Sequence, residues 1–198
     1  PMTVEPGPDG VLRCAWGNSA PEYLAYHDDE WGWPVDDDRT LFQKLCLESF
    51  QSGLSWITVL RTREAFRTAF HDFEPSAVAA MGPDDVDRLL GDASIIRHRG
   101  KIESAINNAR QVMELQETQS LASLVWAHEP SGPSPLAAQT PESVALSKDL
   151  KRRGFTWLGP TTVYAFMQAM GLVNDHLPDC HVRADVEEAR TAFARPHR

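Results

Sequence analysis

The chain has 198 residues, with 19 Lys and Arg against 28 Asp and Glu, 42% hydrophobic residues and three cysteines. That length suits one domain around a single core, and the apolar share is too high for a disordered chain. No apolar run nears the roughly 18 residues that cross a bilayer, no basic-then-apolar leader is visible, and three scattered cysteines make no disulfide framework, so membrane and secreted classes are excluded and a cytoplasmic protein is expected.

In chain order, residues 1–10, rich in Pro, Gly and acids, are expected to form a flexible tail. From Thr40, taken as the N-cap, Leu41, Phe42, Leu45, Cys46 and Ser49 recur at helical spacing. Gln51-Ser52-Gly53 interrupts the rhythm, and Leu54 to Phe70 resumes it. Glu74-Pro75-Ser76 and Gly82-Pro83-Asp84 each open a short helix. Ile95 to Gly100 reads as a tight turn, hydrophobic and then basic, before an amphipathic helix marked by Ile102, Ala105, Ile106 and Ala109. Residues 129–141 look like a linker. A helix from Pro141 stops at Gly154, and another runs from Pro160 to Gly171. From Arg183 to residue 198 the chain is charged and expected to be peripheral. No β-alternation persists and no repeat stands out, so the expected class is all-α with many short helices. One domain is expected over residues 11–182.

The net charge of −9 is unevenly placed. Residues 1–48 hold ten acids and three bases, a net of −7, which leaves −2 for the remaining 150 residues. Two later stretches are locally basic. Arg97, Arg99, Lys101 and Arg110 face only Glu103, and Lys148, Lys151, Arg152 and Arg153 face only Asp149. Phosphate binding depends on the local field, so the global sum does not exclude DNA, although a solvated helix face is the simpler reading of charge alone.

Four features could carry chemistry. Cys14, His27, His176 and Cys180 are soft donors suited to a closed tetrahedral site, although no CxxC is present and ordinary buried thiols with surface imidazoles would look the same. Glu48 lies on the stripe of Leu41 and Leu45, where a carboxylate must be paired, protonated or facing a cavity. Trp16, Tyr23, Tyr26, Trp31 and Trp33 crowd one segment, with Trp56 eight positions beyond Glu48. Such rings around a carboxylate would box a planar cation, while core packing is the default for each ring alone. Lastly, the turn before Lys101 offers free amides and a positive helix end to a phosphate, or is an ordinary helical hairpin.

These words together resemble a known family. Arg13-Cys14-Ala15-Trp16, Tyr26-His27-Asp28-Asp29-Glu30-Trp31-Gly32, Leu47-Glu48 and Gln51 to Leu60 are similar to the DNA-3-methyladenine glycosylase I family. So are Ile95 to Ile102 and Phe166 to His176, and the resemblance runs in order from about Leu12 to Cys180. It departs at Phe50, bulky where a small or polar residue is expected, at the extra tail and at Leu177-Pro178-Asp179.

The resemblance implies a helix-hairpin-helix glycosylase fold, in two lobes of about residues 40–128 and of 11–39 with 142–182. It implies hydrolysis of the N-glycosidic bond of 3-methyladenine flipped out of alkylated double-stranded DNA, without strand cleavage, by a monomer. On these positions the base-recognising carboxylate falls on Glu48 and the stacking ring on Trp56. Further pocket rings fall on Trp16, Tyr23, Tyr26 and Trp31. Gly53 and Leu54 match the wedge into the emptied duplex, and Ile96, Arg97, Arg99, Gly100 and Lys101 the phosphate-holding hairpin. A structural Zn²⁺ on Cys14, His27, His176 and Cys180 would tie the terminal lobe together. The rival expectation is a non-catalytic DNA-binding module built on the same hairpin; a zinc hydrolase would need an open ligand position.

Overall fold

The computed structural model describes residues 2–196 and is mostly helical. Two strands come first, β1 (Val4–Pro6) and β2 (Leu12–Cys14), paired antiparallel with Val4 opposite Cys14. The helices are α1 (Pro21–Ala25), α2 (Asp38–Gln51), α3 (Trp56–Ala69), α4 (Pro75–Ala79) and α5 (Pro83–Leu90). They continue with α6 (Arg99–Leu115), α7 (Leu121–Trp126), α8 (Pro141–Arg152), α9 (Pro160–Ala169) and α10 (Arg183–Ala192).

The small sheet departs from the all-α expectation and places part of the expected tail, Val4–Pro6, beside Leu12–Cys14. Three residues per strand are too few for alternation to show in a sequence. A second correction concerns α2. Its N-cap is Asp37, whose carboxylate accepts from the Thr40 amide at 2.8 Å and the Thr40 hydroxyl at 2.6 Å, so Thr40 is already inside the first turn. The chain start of α3 likewise falls at Trp56, two residues after the expected Leu54.

Helix α2 is buried on nearly every side from Leu41 to Phe50, as expected of a helix enclosed by others. It packs against α3, α6, α7 and α9. Phe50, where the resemblance leads one to expect a small or polar residue, is fully buried and packs on Phe66 (ring centroids 4.6 Å) and Phe70 (5.8 Å), on the core side of the helix. Its bulk therefore fills core. A smaller apolar cluster joins Cys14, Cys180, Val182 and Val186, with Val4, Trp16 and Trp33 against it. Through Val186, α10 is part of that cluster, and Arg190 on the same helix donates to the Gly171 and Leu172 carbonyls.

Candidate active site and metal centre

Pro21 starts α1 at its first position, and a widened, π-type turn over Tyr26–Glu30 follows, with the Trp31 amide donating to the Tyr26 carbonyl at 2.9 Å. Single widened turns of this kind recur at functional sites. Here the turn sends two adjacent buried side chains to different places. Tyr26 lines a cavity of about 500 Å³, and His27 joins a cluster of thiols and imidazoles.

The cavity wall contains Trp16, Tyr23, Tyr26, Trp31, Trp56 and Glu48. Trp16 meets Tyr23 and Trp31 edge-on, at ring centroids of 5.5 and 5.0 Å, and Tyr26 lies 5.5 Å from Trp56. Six residues singled out from the sequence thus share one wall. Glu48 is only 5% exposed, and it is not alone. Lys44, one helical turn earlier on α2, places its ammonium 2.9 Å from Glu48 Oε1 and donates to the Tyr26 hydroxyl at 2.7 Å. The same nitrogen stands 3.4 Å over the Trp56 ring centre. Burial draws the Lys44 pKa below its ordinary value while Glu48 opposes the shift, and burial pushes the Tyr26 phenol well up. A second carboxylate in the wall, Asp175, accepts at Oδ2 from the Tyr164 hydroxyl (2.7 Å) and the Gln168 amide (2.8 Å). Among the described residues, Trp56 Nε1 and Asp175 Oδ1 are buried without a protein partner, two polar atoms for a guest or water to satisfy.

Behind Trp16 and Trp31 the four soft donors converge. Cys14, His27, His176 and Cys180 are all buried, and their ligand atoms lie within 4.8 Å of one another. Cys180 Sγ is 3.6 Å from both His27 Nε2 and His176 Nδ1. A tetrahedral zinc, with bonds of about 2.3 Å to sulfur and about 2.0 Å to nitrogen, separates such donors by about 3.5 Å. The set fits. Each imidazole is also oriented through its other nitrogen: His27 Nδ1 lies 2.7 Å from Asp28 Oδ1, and His176 Nε2 lies 2.9 Å from the Trp31 carbonyl oxygen. Burial acts to raise the Asp28 pKa, but Arg13, His27 and His181 hold that carboxyl well below its usual range. A hydrogen bond from Cys14 above all, then His176 and His27, favours the Cys180 thiolate against its burial.

The model of the methyladenine glycosylase family matches residues 16–184. This chain belongs to that family. DNA-3-methyladenine glycosylase 1 of Escherichia coli (strain K12) is 49% identical over 177 residues, 85% of this chain and 95% of the relative. The DNA-3-methyladenine glycosylase of Haemophilus influenzae is 44% identical over 179 residues, 86% of this chain and 97% of the relative. A crystal structure of 3-methyladenine DNA glycosylase I matches with a TM-score of 0.82 at 49% identity, covering 85% of this chain and 98% of that one.

Around this glycosylase cavity lie the elements expected to touch DNA. Leu54 is 41% exposed at the end of a turn in which Gly53 has a φ of +81°, and the Gln51 side chain, itself in the cavity wall, donates to the Leu54 carbonyl at 2.9 Å. The turn after α5 runs into α6 with Ile95 buried, Ile96 half-buried and Arg97 exposed. His98 caps α6 by accepting from the Lys101 amide at 3.2 Å. Arg99 is exposed but paired with Asp87 at 2.9 Å and Glu103 at 3.4 Å.

Lys101 is a correction. Its ammonium is turned inward, donating to the Phe50 carbonyl at 2.9 Å and the Ser52 carbonyl at 2.6 Å, where the end of α2 leaves acceptors unsatisfied. It therefore fastens α6 to α2 and does not face a phosphate. Arg110 also turns in, to the Ala79 and Met81 carbonyls. Sequence reasoning missed Lys44, Asp175 and Trp157. The last is 44% exposed, has a φ of +58°, and stands edge-on to His98 at 5.3 Å beside the hairpin. A Lys four residues before Glu48 on an apolar helix was the one available signal for Lys44; Trp157 had none.

Proposed function

We propose that this enzyme, a DNA-3-methyladenine glycosylase, binds 3-methyladenine flipped out of double-stranded DNA in the Glu48 cavity and releases it by hydrolysis, leaving the strands intact. The observation that carries this reading is a buried carboxylate in the wall of an aromatic cavity roomy enough for a purine, next to an exposed apolar wedge. One solved relative at 40% identity is described as a complex with 3-methyladenine, and the Staphylococcus aureus enzyme, also 40% identical with a TM-score of 0.81, by the basis of its 3-methyladenine recognition.

Methylation at N3 makes the base cationic in DNA. Its bond to the sugar is weakened, and the electron pair of that bond leaves with a neutral base, so little acid catalysis is required. Water completes the reaction at the sugar carbon and loses a proton. The protein's task is to extrude, hold and position. Leu54 would fill the gap in the stack, the cavity rings would stack on the base, and the Glu48 oxygen not engaged by Lys44 would accept from its amino group. Arg97 and the Arg99 and Gly100 amides, which precede the Lys101 amide that His98 caps, would hold a phosphate of the same strand.

Cys14, His27, His176 and Cys180 would hold one Zn²⁺ as a cross-link between the N-terminal and C-terminal segments. With four protein donors, the ion's role is structural. The protein would act as a monomer, and its three buried cysteines, none in a disulfide, suit the reducing cytoplasm.

Chromatography of bases released from methylated DNA tests the assignment. Wild type should yield free 3-methyladenine with unbroken strands. Glu48→Gln should lose about 10²-fold in rate, as for a group aimed at charge in the reaction. Trp56→Ala should lose about tenfold or more, the worth of one base stack. Wild-type rates in both variants would remove these residues from the mechanism. Equal retention of methylated and plain DNA with no base release would leave the binding-module reading.

A further inference from the structure

The loop between α8 and α9 leaves its largest apolar side chain outside. Trp157 is 44% exposed, the only exposed tryptophan among the described residues, while Phe155 and Leu158 near it are buried. Its φ of +58° lies in the left-handed region, which a bulky side chain enters only when its surroundings impose it. Three nearly inaccessible polar side chains impose it here. On α6, Asn108 accepts from the Thr156 amide at 2.9 Å and donates to the Thr156 carbonyl at 3.0 Å, and Ser104, one turn earlier, donates to the same carbonyl at 3.2 Å. On α2, Ser49 donates to the Trp157 carbonyl at 3.1 Å. The clamp commits buried hydrogen bonds to the backbone yet leaves the indole facing solvent, so core packing does not explain it.

The indole lies against the start of α6. It meets the His98 ring edge-on at 5.3 Å, and a Cβ on Gly100 would stand 3.3 Å from Trp157 Cζ2, so the missing side chain there lets the ring come close. The Lys101 ammonium, which holds the Phe50 and Ser52 carbonyls just ahead of Leu54, is 6.0 Å from the centre of the same ring. The wedge turn, the hairpin and the indole are therefore fastened around one point. A DNA strand offers charge at its phosphates and apolar C–H faces on the sugars between them. Resting on the hairpin's proposed hold on a phosphate, we infer that Trp157 is a further DNA-binding residue, its indole packing on the deoxyribose next to that phosphate. The contact is blind to base sequence and to methylation. It fixes the strand along the hairpin, within reach of Leu54.

Fluorescence anisotropy of a labelled duplex bearing a tetrahydrofuran abasic analogue tests the contact with the full-length protein, alongside the same duplex unmodified. Trp157→Ala should weaken binding to both by about fivefold or more, as for an indole face taken out of water. Trp157→Phe should restore most of the loss. No charge is removed, so the slope of log affinity against log salt should match wild type, whereas Arg97→Ala should lower its magnitude by about one. Affinity for free 3-methyladenine should not change, since Trp157 lies outside the base cavity wall. Trp157→Gly relieves the backbone strain, so it should keep Tm near wild type while binding DNA as weakly as the alanine variant. A structural role produces no such split, and the glycine variant serves if the alanine one does not fold. Wild-type DNA affinity in Trp157→Ala or Trp157→Gly overturns the inference, as does a loss of free-base binding that matches the loss of duplex binding. Failure of the wild type to bind either duplex, or an unaltered salt slope in Arg97→Ala, would instead remove the hairpin's phosphate, and the sugar contact with it.

Discussion

Asp38 belongs to the first turn of α2, yet its carboxylate serves another helix. Oδ2 accepts from the Leu121 amide at 3.0 Å and from the Gln116 side chain at 2.8 Å, and Oδ1 accepts from the Ala122 amide at 2.8 Å. Two of these donors are the first amides of α7, which have no partner within their own helix. Ser120, the N-cap of α7, takes the Ser123 amide at 3.0 Å, so the two side chains divide the work. Asp38→Ala is expected to cost about 2 kcal/mol, the range of a charged helix cap. For a chain of this size that lowers Tm by roughly 4–8 °C, measurable by calorimetry. An unchanged Tm would show that water replaces the carboxylate at no cost. Such long-range pairings explain what was illegible in the sequence. Glu48 announced itself as a carboxylate on an apolar stripe. Lys101 did not, because whether its ammonium meets a phosphate or the carbonyls of residues 50 and 52 depends on where the end of α2 lies in space.

At the scale of elements, helices with an apolar period were readable, as was the five-residue α4 from its opening proline, whereas the ten-residue α10, read as a charged peripheral stretch, was not. α2, α6, α8 and α9 follow the apolar spacing of the sequence, and α8 and α9 its Pro and Gly positions as well, whereas α1 and α7 are too short to display a period. One junction between elements depends on a single missing side chain. After α9 the backbone turns left-handed at Gly171, with a φ of +80°, and runs against residues 32–35. The Gly32 and Val35 amides donate to the Ala169 and Met170 carbonyls at 3.2 Å each. A Cβ at Gly171 would stand 2.5 Å from the Pro34 nitrogen and 2.6 Å from Pro34 Cα, backbone atoms with nowhere to retreat. Gly171→Ala should therefore destabilise by about 3 kcal/mol or more, combining backbone strain with the clash. Gly132, with open space around it, supplies the control. Its replacement by Ala should be neutral or slightly stabilising in the same urea titration. Equal midpoints for the two variants would mean that the segment before α2 yields freely and does not brace α9.

Across the whole molecule, the proposed metal centre and the proposed base site are coupled through shared aromatic walls. Trp16 lies 5.1 Å from the His27 ring and Trp31 lies 4.7 Å from the His176 ring, and both indoles also face the base cavity. The four ligands come from the end of β2, the widened turn after α1 and the segment ahead of α10, so one ion would hold together pieces separated by up to 166 positions, from Cys14 to Cys180. The local apolar cluster is small, which leaves cross-linking as the main source of order there. Removing zinc with a chelator should lower Tm by roughly 10 °C or more, because several kcal/mol are at stake. Base release should fall in step with the loss of structure, through displacement of Trp16 and Trp31. Restoring zinc should recover both, with about one ion per chain by metal analysis. The decisive contrast is between the two readouts in one sample. If turnover disappears while Tm holds, the ion takes part in the chemistry and the closed-site assignment is wrong; if both survive chelation, the lobe stands on its own packing and the four donors need no metal to meet.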